Sequence, residues 1–219
     1  MKLVRDNGLT IVLVLATLAT LFGMIVTGVS VYNEELAQHH QPTLSLPAYL
    51  TSGHFLSALF ENWESEFLQM SAYVTLTAFL FQRGSAESKD PDKGSEQDED
   101  PVAHVGDLSA PLPVRHGGFL ALLYAHSLGI ALFILFILSF TLHLEESAAA
   151  AAVEAVNHGE TAPTIWQHAS STKFWFESFQ NWQSEFLSTA VLVILSIFLR
   201  FRGSPESKAV AAPHSKTGG

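Results

Sequence analysis

Leu9 to Val31 is a run of 23 residues without a charged side chain. A hydrocarbon core of ~30 Å needs about 20 apolar helical residues to cross it, so this one run already restricts the chain to folds that place a helix in a bilayer. Gly117 to Leu142 is a second such run, 26 residues long and interrupted only by His126. Two shorter apolar runs follow them, Phe67 to Phe81 and Phe186 to Leu199. The composition agrees. Charged residues make up only 15% of the 219, against roughly a quarter in a soluble domain. The basic start, Met1 to Arg5, has the look of a signal peptide. Its apolar run is longer than the usual h-region of about 7–15 residues, and a counterpart recurs later in the chain, so it reads as a retained span.

Lys and Arg set the orientation. With both termini on one side, ten of the 11 basic residues fall on that side and only Lys173 falls on the other. The positive-inside rule then makes the termini cytoplasmic. The net charge of −10 argues against nucleic acid as a partner, because phosphate binding needs clustered cations. The absence of Cys removes disulfides, thiolate catalysis and Cys-based metal sites.

The chain repeats itself. FENWESEF at 60–67 returns as FQNWQSEF at 179–186, and RGSAESK at 83–89 returns as RGSPESK at 202–208. Both pairs lie 119 residues apart, with no gap between them. The upstream halves match more weakly, for example Arg5 with Arg115 and Gly8 with Gly118 at an offset of 110, which implies nine extra residues in the second outer loop. The expected fold is an all-α membrane protein of four transmembrane helices, built as two tandem hairpins. Both hairpins insert the same way round, so a pseudo-twofold axis would run along the membrane normal. The expected boundaries are a first hairpin at 1–89, an acidic Pro-rich cytoplasmic linker at 90–114, a second hairpin at 115–208 and a flexible tail at 209–219.

The short runs fix the depth of the first motif. Arg83 and Arg202 are expected anchors at the inner boundary, snorkelling to the headgroups. Counting about 20 residues back from Phe81 or Leu199 makes the Asn-Trp blocks the outer turns of these spans. Ser and Thr at 51–52 and 170–172 are expected N-caps. The Ala-rich stretch 145–157 is expected to extend the third span until Gly159 ends it. Asn62 and Glu66 fall four apart on one helix stripe, as do Asn181 and Glu185. Under the pseudo-twofold, these two amides and two carboxylates would converge as a polar clamp or as an ion or proton site. Trp63 and Trp182 read as interfacial aromatics or packing. Ser-x-Glu-Ser-Lys reads as helix termination with duplication history, or as a docking motif.

Six outer histidines lie near Glu34, Glu35, Glu145 and Glu146, but no tight ligand spacing appears, so no metal site is expected. His126 pairs with Ala16 in the other copy and is expected to hydrogen-bond between helices. No nucleophile elbow, phosphate loop or dinucleotide fingerprint is present, so no cofactor and no enzymatic activity are expected.

Asn-Trp-x-Ser-Glu-Phe followed by a short span and Arg-Gly-Ser-x-Glu-Ser-Lys, twice, resembles an uncharacterised family of bacterial membrane proteins, a domain of unknown function. The resemblance implies four helices in the bacterial cytoplasmic membrane and supplies no activity or ligand. The function expected is a non-enzymatic module that binds a protein partner or a second copy of itself within the lipid bilayer. The alternatives are an ion- or proton-coupled conduit using Glu66 and Glu185, and, third, a membrane enzyme.

Overall fold

A computed structural model describes residues 2–219, and its regular structure there is entirely helical. The elements in chain order are α1 (Lys2–Gln38), α2 (Leu46–Leu50), α3 (Gly53–Phe79), two 3-10 turns (Glu96–Asp98 and Pro101–His104), α4 (Leu112–His116), α5 (Gly118–Ala125), α6 (Ser127–Asn157), α7 (Ile165–Ala169) and α8 (Thr172–Phe198). Three of these, α1, α6 and α8, are long and apolar enough to cross a membrane. The apolar stretch of α1 is not buried within the chain at all. α3 has the same 27 residues as α8. Its stretch 61–69 carries Glu61, Asn62, Glu64, Glu66 and Gln69, which dilute its hydropathy.

The Asn-Trp blocks lie inside α3 and α8. The second long apolar run departs from expectation. It breaks at His126, which leaves helical geometry at φ −112° and ψ 8° between α5 and α6. The His126 ring bonds the Leu122 carbonyl one turn back, at 3.0 Å, and Ser127 Oγ donates to the Tyr124 carbonyl at 2.7 Å. His126 therefore serves a local helix junction and not a bond between helices.

The chain divides into two compact units, Met1–Phe60 with Leu142–Phe174, and Glu61–Thr141 with Trp175–Gly219. Each draws residues from both of the repeated halves.

In the first unit, positions 119 apart do the same work. α1 ends in a Schellman turn: Gln41 N–H donates to the Leu36 carbonyl at 2.8 Å and His40 N–H to Ala37 at 3.1 Å. α6 ends identically, with Glu160 N–H to Ala155 at 2.8 Å and Gly159 N–H to Val156 at 3.0 Å. The left-handed position is Gly159 (φ 72°) in one case and His40 (φ 56°) in the other. The offset is thus already 119 at these turns, so the extra residues of the second half precede Gly159 rather than sitting in the loop after it. Each turn leads to a short helix, α2 or α7, and then to a Ser cap. Ser52 Oγ accepts from Phe55 N–H at 3.3 Å, and Ser171 Oγ from Phe174 N–H at 3.2 Å. Tyr49 of α2 packs on Phe55 (centroids 5.3 Å apart), and His168 of α7 on Phe174 (5.6 Å). The Ala-rich part of α6 matters here. A Cβ on Gly53 would lie 2.7 Å from the Glu146 carbonyl oxygen and 2.9 Å from Ala150 N, so α3 starts in backbone contact with α6.

In the second unit, α3 from Glu61 and α8 from Trp175 pack along one seam, with Phe136 and Phe140 of α6 against Trp182 and Trp175. The linker and the tail make contacts of their own. The 90–114 stretch forms its two 3-10 turns and is tied by ion pairs, Arg83 with Asp92 and Lys89 with Asp98. The 209–219 tail folds back onto Gly84 and Ser85: Gly84 N–H donates to Thr217 Oγ1 at 2.9 Å and Gly218 N–H to the Ser85 carbonyl at 2.9 Å. These backbone groups are sheltered, and the returning chain supplies the partners they need.

Gly53→Ala is expected to destabilise the protein by about 1–3 kcal/mol, because a rigid backbone leaves the new methyl no room. Thermal unfolding in mild detergent checks this, with Gly94→Ala, at a position with open space around it, as the control.

Candidate functional site

The seam between α3 and α8 is held by polar side chains from the repeated blocks. Glu64 is fully buried. Its Oε1 accepts from the indole Nε1–H of Trp182 at 2.8 Å. Asn181 Nδ2 donates to Glu61 Oε1, and more weakly to the Glu177 carbonyl at 3.4 Å. One and a half turns further in, Gln69 Nε2 donates to Thr189 Oγ1. Trp182 is clasped by aromatic rings, with Trp175 and Phe179 edge-on at 6.2 and 5.5 Å. The acceptors Glu61 and Glu64 come from α3 and their donors from α8, so the clasp has a direction.

The residues singled out by sequence are distributed unevenly. Asn181 and Trp182 sit on the seam. Asn62 and Glu66 are exposed, while Glu185 is partly buried with Glu66 as its charged neighbour. Trp63 is 42% exposed. Sequence comparison missed Glu61 and Glu64 because it prized identical positions. These two are where the copies differ, Glu61 against Gln180 and Glu64 against Gln183. An acid in one copy facing an amide in the other was the available signal.

At the other end of the seam the Arg-Gly-Ser-x-Glu-Ser-Lys blocks fold alike. Gly84 and Gly203 take left-handed geometry at φ 84° and 91°. Ser85 Oγ accepts from Glu87 N–H at 3.1 Å and Ser204 Oγ from Glu206 N–H at 3.2 Å. Ser88 Oγ accepts from Gln82 N–H and Ser207 Oγ from Phe201 N–H, both at 2.9 Å. Every serine of the motif therefore bonds a backbone N–H within the turn that follows its helix. Arg83 pairs with Asp92, and Arg202 is exposed. The arginine that caps α8 is Arg200, whose Nη1 reaches the Ser196, Ile197 and Leu199 carbonyls and whose Nη2 reaches Ala212 in the tail at 3.1 Å.

The two blocks then interlock through unlike partners. Ser85 and Ser196 share a buried hydroxyl bond of 2.8 Å. Lys208 is only 1% exposed, and its ammonium donates to the carbonyls of Gly84, His214 (3.0 Å) and Lys216 (2.9 Å). Three donors meet three acceptors, which is how a buried cation is tolerated. Glu87 Oε2 accepts from the Tyr73 hydroxyl at 2.9 Å. Burial pushes the Glu87 carboxyl up from its ordinary range, the Tyr73 bond pulls it back, and the neighbouring Glu206 raises it again. Between these two polar zones the seam leaves an apolar cavity of about 250 Å³. Among the described residues no group of three or more His, Asp or Glu could hold a metal.

A family model, the domain of unknown function DUF6766, matches residues 1–219. The chain belongs to that family. Comparisons with curated proteins and with solved structures each find no match. The DUF6766 assignment carries no activity, so chemistry must be read from the seam itself. The clasp pairs Glu61 and Glu64 with Asn181 and Trp182, while Glu87 Oε1 and Arg200 Nε at the other end are buried without a hydrogen-bond partner.

Two outcomes test this geometry. Glu64→Gln keeps an acceptor for the Trp182 indole and is expected to change stability little, whereas Glu64→Leu strands a buried N–H and costs about 1–3 kcal/mol. Thermal midpoints of the two variants in detergent decide it. For Glu87, a raised folded-state pKa means the folded chain holds a proton that the unfolded chain releases near pH ~4.3. Its contribution is complete below that pH and is lost as pH rises through the folded value. The thermal midpoint of the wild type should fall across that window, Glu87→Gln should abolish the fall, and Glu206→Gln should move it to lower pH.

Proposed function

We propose that this protein is a non-enzymatic membrane module, in which two helical hairpins, 1–89 and 115–208, are clamped together to present a fixed surface to a protein partner or a second copy. The observation that carries this reading is the directional clasp of Glu61 and Glu64 with Asn181 and Trp182. These groups satisfy each other, which is the signature of helix–helix glue rather than of a site waiting for a substrate. In this reading α3 is the fourth span. It equals α8 in length and lies against it, and its glutamates are masked by the clasp or sit at the outer boundary.

The matched Schellman turns, Ser caps and Arg-Gly-Ser-x-Glu-Ser-Lys turns, all 119 residues apart, support a duplicated hairpin with a pseudo-twofold along the membrane normal. The Lys and Arg bias supports cytoplasmic termini, and the motif resemblance supports a bacterial inner membrane. The Cys-free chain offers a direct test. Single Cys substitutions at Thr161 and Ala211, both exposed, should divide in intact spheroplasts: a membrane-impermeant maleimide labels the first at once and the second only after permeabilisation. Labelling of both, or of the Ala211 position alone, overturns the orientation. Light scattering in mild detergent and capture of a reproducible partner, lost on trimming 90–114, test the assembly role.

A second reading is an ion or proton conduit, favoured by one observation, the closeness of Glu66 to Glu185 near the outer end of the seam. It requires proton or cation flux in proteoliposomes that Glu66→Gln with Glu185→Gln removes while the helices persist. Absence of flux in the wild type ends that reading.

A further inference from the structure

The cavity in the seam is bounded by α3 on one wall, through Tyr73, Leu76 and Thr77, and by α8 on the other, through Phe186, Ala190 and Val193. Its outer end is closed by the Gln69–Thr189 bond and its other end by Gln82 and Ser88. We propose that this cleft is a seat for one hydrocarbon chain of a bilayer phospholipid, a proposal that rests on the membrane reading above.

Three features choose that occupant. First, the polar groups in its wall already have partners. Thr189 Oγ1 donates to the Glu185 carbonyl at 3.1 Å and Thr77 Oγ1 to the Tyr73 carbonyl at 2.8 Å. The Tyr73 hydroxyl donates to Glu87 at 2.9 Å, and Ser88 Oγ to the Lys89 carbonyl at 3.0 Å. A polar ligand would find these hydroxyl protons already committed and would lose its hydration, whereas an alkyl chain loses nothing. Second, about 250 Å³ cannot admit a helix, whose diameter with side chains is ~10–12 Å. This disfavours a partner's span as the occupant. Third, the cleft opens sideways beside Leu76, Leu80 and Phe186, which are 49%, 61% and 43% exposed. That opening is continuous with the apolar surface that a spanning α8 turns to lipid. Left empty in hydrocarbon, its walls would forfeit dispersion contacts that a chain restores. The seat would also explain why the seam carries polar ties only at its two ends.

The test uses the full chain in phosphatidylcholine–phosphatidylglycerol vesicles containing a phospholipid with a diazirine in mid-chain. After photolysis, adducts are mapped by peptide mass spectrometry. Adducts concentrated on 69–82 and 186–193 are expected, with a several-fold loss in Ala190→Trp, which fills the cleft from α8. Thr77→Phe fills it from the opposite wall, so the result does not hang on one variant's folding, which circular dichroism checks. Adducts spread evenly over α1, α6 and α8, or undiminished in both filled variants, overturn the seat but leave the membrane reading intact. Absence of adducts from every helix overturns both. Disulfide trapping between copies carrying Cys in place of Ala190 would give the cleft to a second copy and likewise overturn the proposal.

Discussion

Glu64 has no contact with solvent, and its carboxylate takes the indole N–H of Trp182. A buried carboxylate is costly unless its oxygens are occupied, and an indole N–H has only one bond to give. Each group therefore makes the other tolerable inside the seam. The consequences spread outward from that pair. With Trp182 held, Trp175 and Phe179 close around it, and Phe136 of α6 comes against the ring. With Glu64 held, Glu61 one turn back is placed for Asn181. The polar blocks thus supply registration. In a hydrocarbon environment apolar faces have no preference for each other over lipid, so hydrogen bonds and close fit must set which helices pair and at what register.

Direction follows from the asymmetry of the two copies. Had both blocks carried Gln at positions 61 and 64, the seam would face amide to amide, free to slide or to invert. With acids on α3 and their amide and indole donors on α8, one copy accepts and the other donates. The opposite end repeats the pattern with other groups. Lys208 of the second block enters the carbonyls around Gly84 of the first, whereas Lys89, its counterpart, turns to the Ala78 carbonyl and to Asp98. Local turns are alike in the two blocks because helix termination is a backbone problem with one good solution. Long-range contacts are unlike because two surfaces that meet need complementary chemistry and not identical chemistry.

Much of the fold was legible in the sequence, for reasons that are local. Uncharged runs of helical length, the Ser caps at 52 and 171, and the Ala-rich extension ending at Gly159 each depend on a few neighbouring residues. The place of the Asn-Trp blocks within long helices followed from run length alone. The candidate site was legible only in part. Asn181 and Trp182 are on the seam, but Glu66, Asn62 and Trp63 face outward. Identity between copies reports what both need, and both need caps and turns. The contacts made between them rest on residues that differ, such as Glu64 against Gln183, and the search for sameness passes over these. Lys208 and Arg200 were hidden for a further reason: their acceptors are backbone carbonyls, which leave no mark in a sequence. His126 misled because a polar residue in an apolar run suggests a partner on another helix, and a break one turn after Leu122 satisfies it as well.

The tail and the linker bear on how such a clamp could serve an assembly. The tail closes on Gly84 and Ser85 through Lys208, Thr217 and Gly218, so the end of the chain reports on the junction of the two blocks. The 90–114 linker is tied to the first block through Arg83 with Asp92, an exposed pair of little individual strength, and through Lys89 with Asp98, whose lysine is largely covered. A buried lysine with three carbonyl partners holds the tail, and two ion pairs, one of them exposed, hold the linker. Releasing the tail would uncover an ammonium and three carbonyls, a larger cost than parting the ion pairs of the linker.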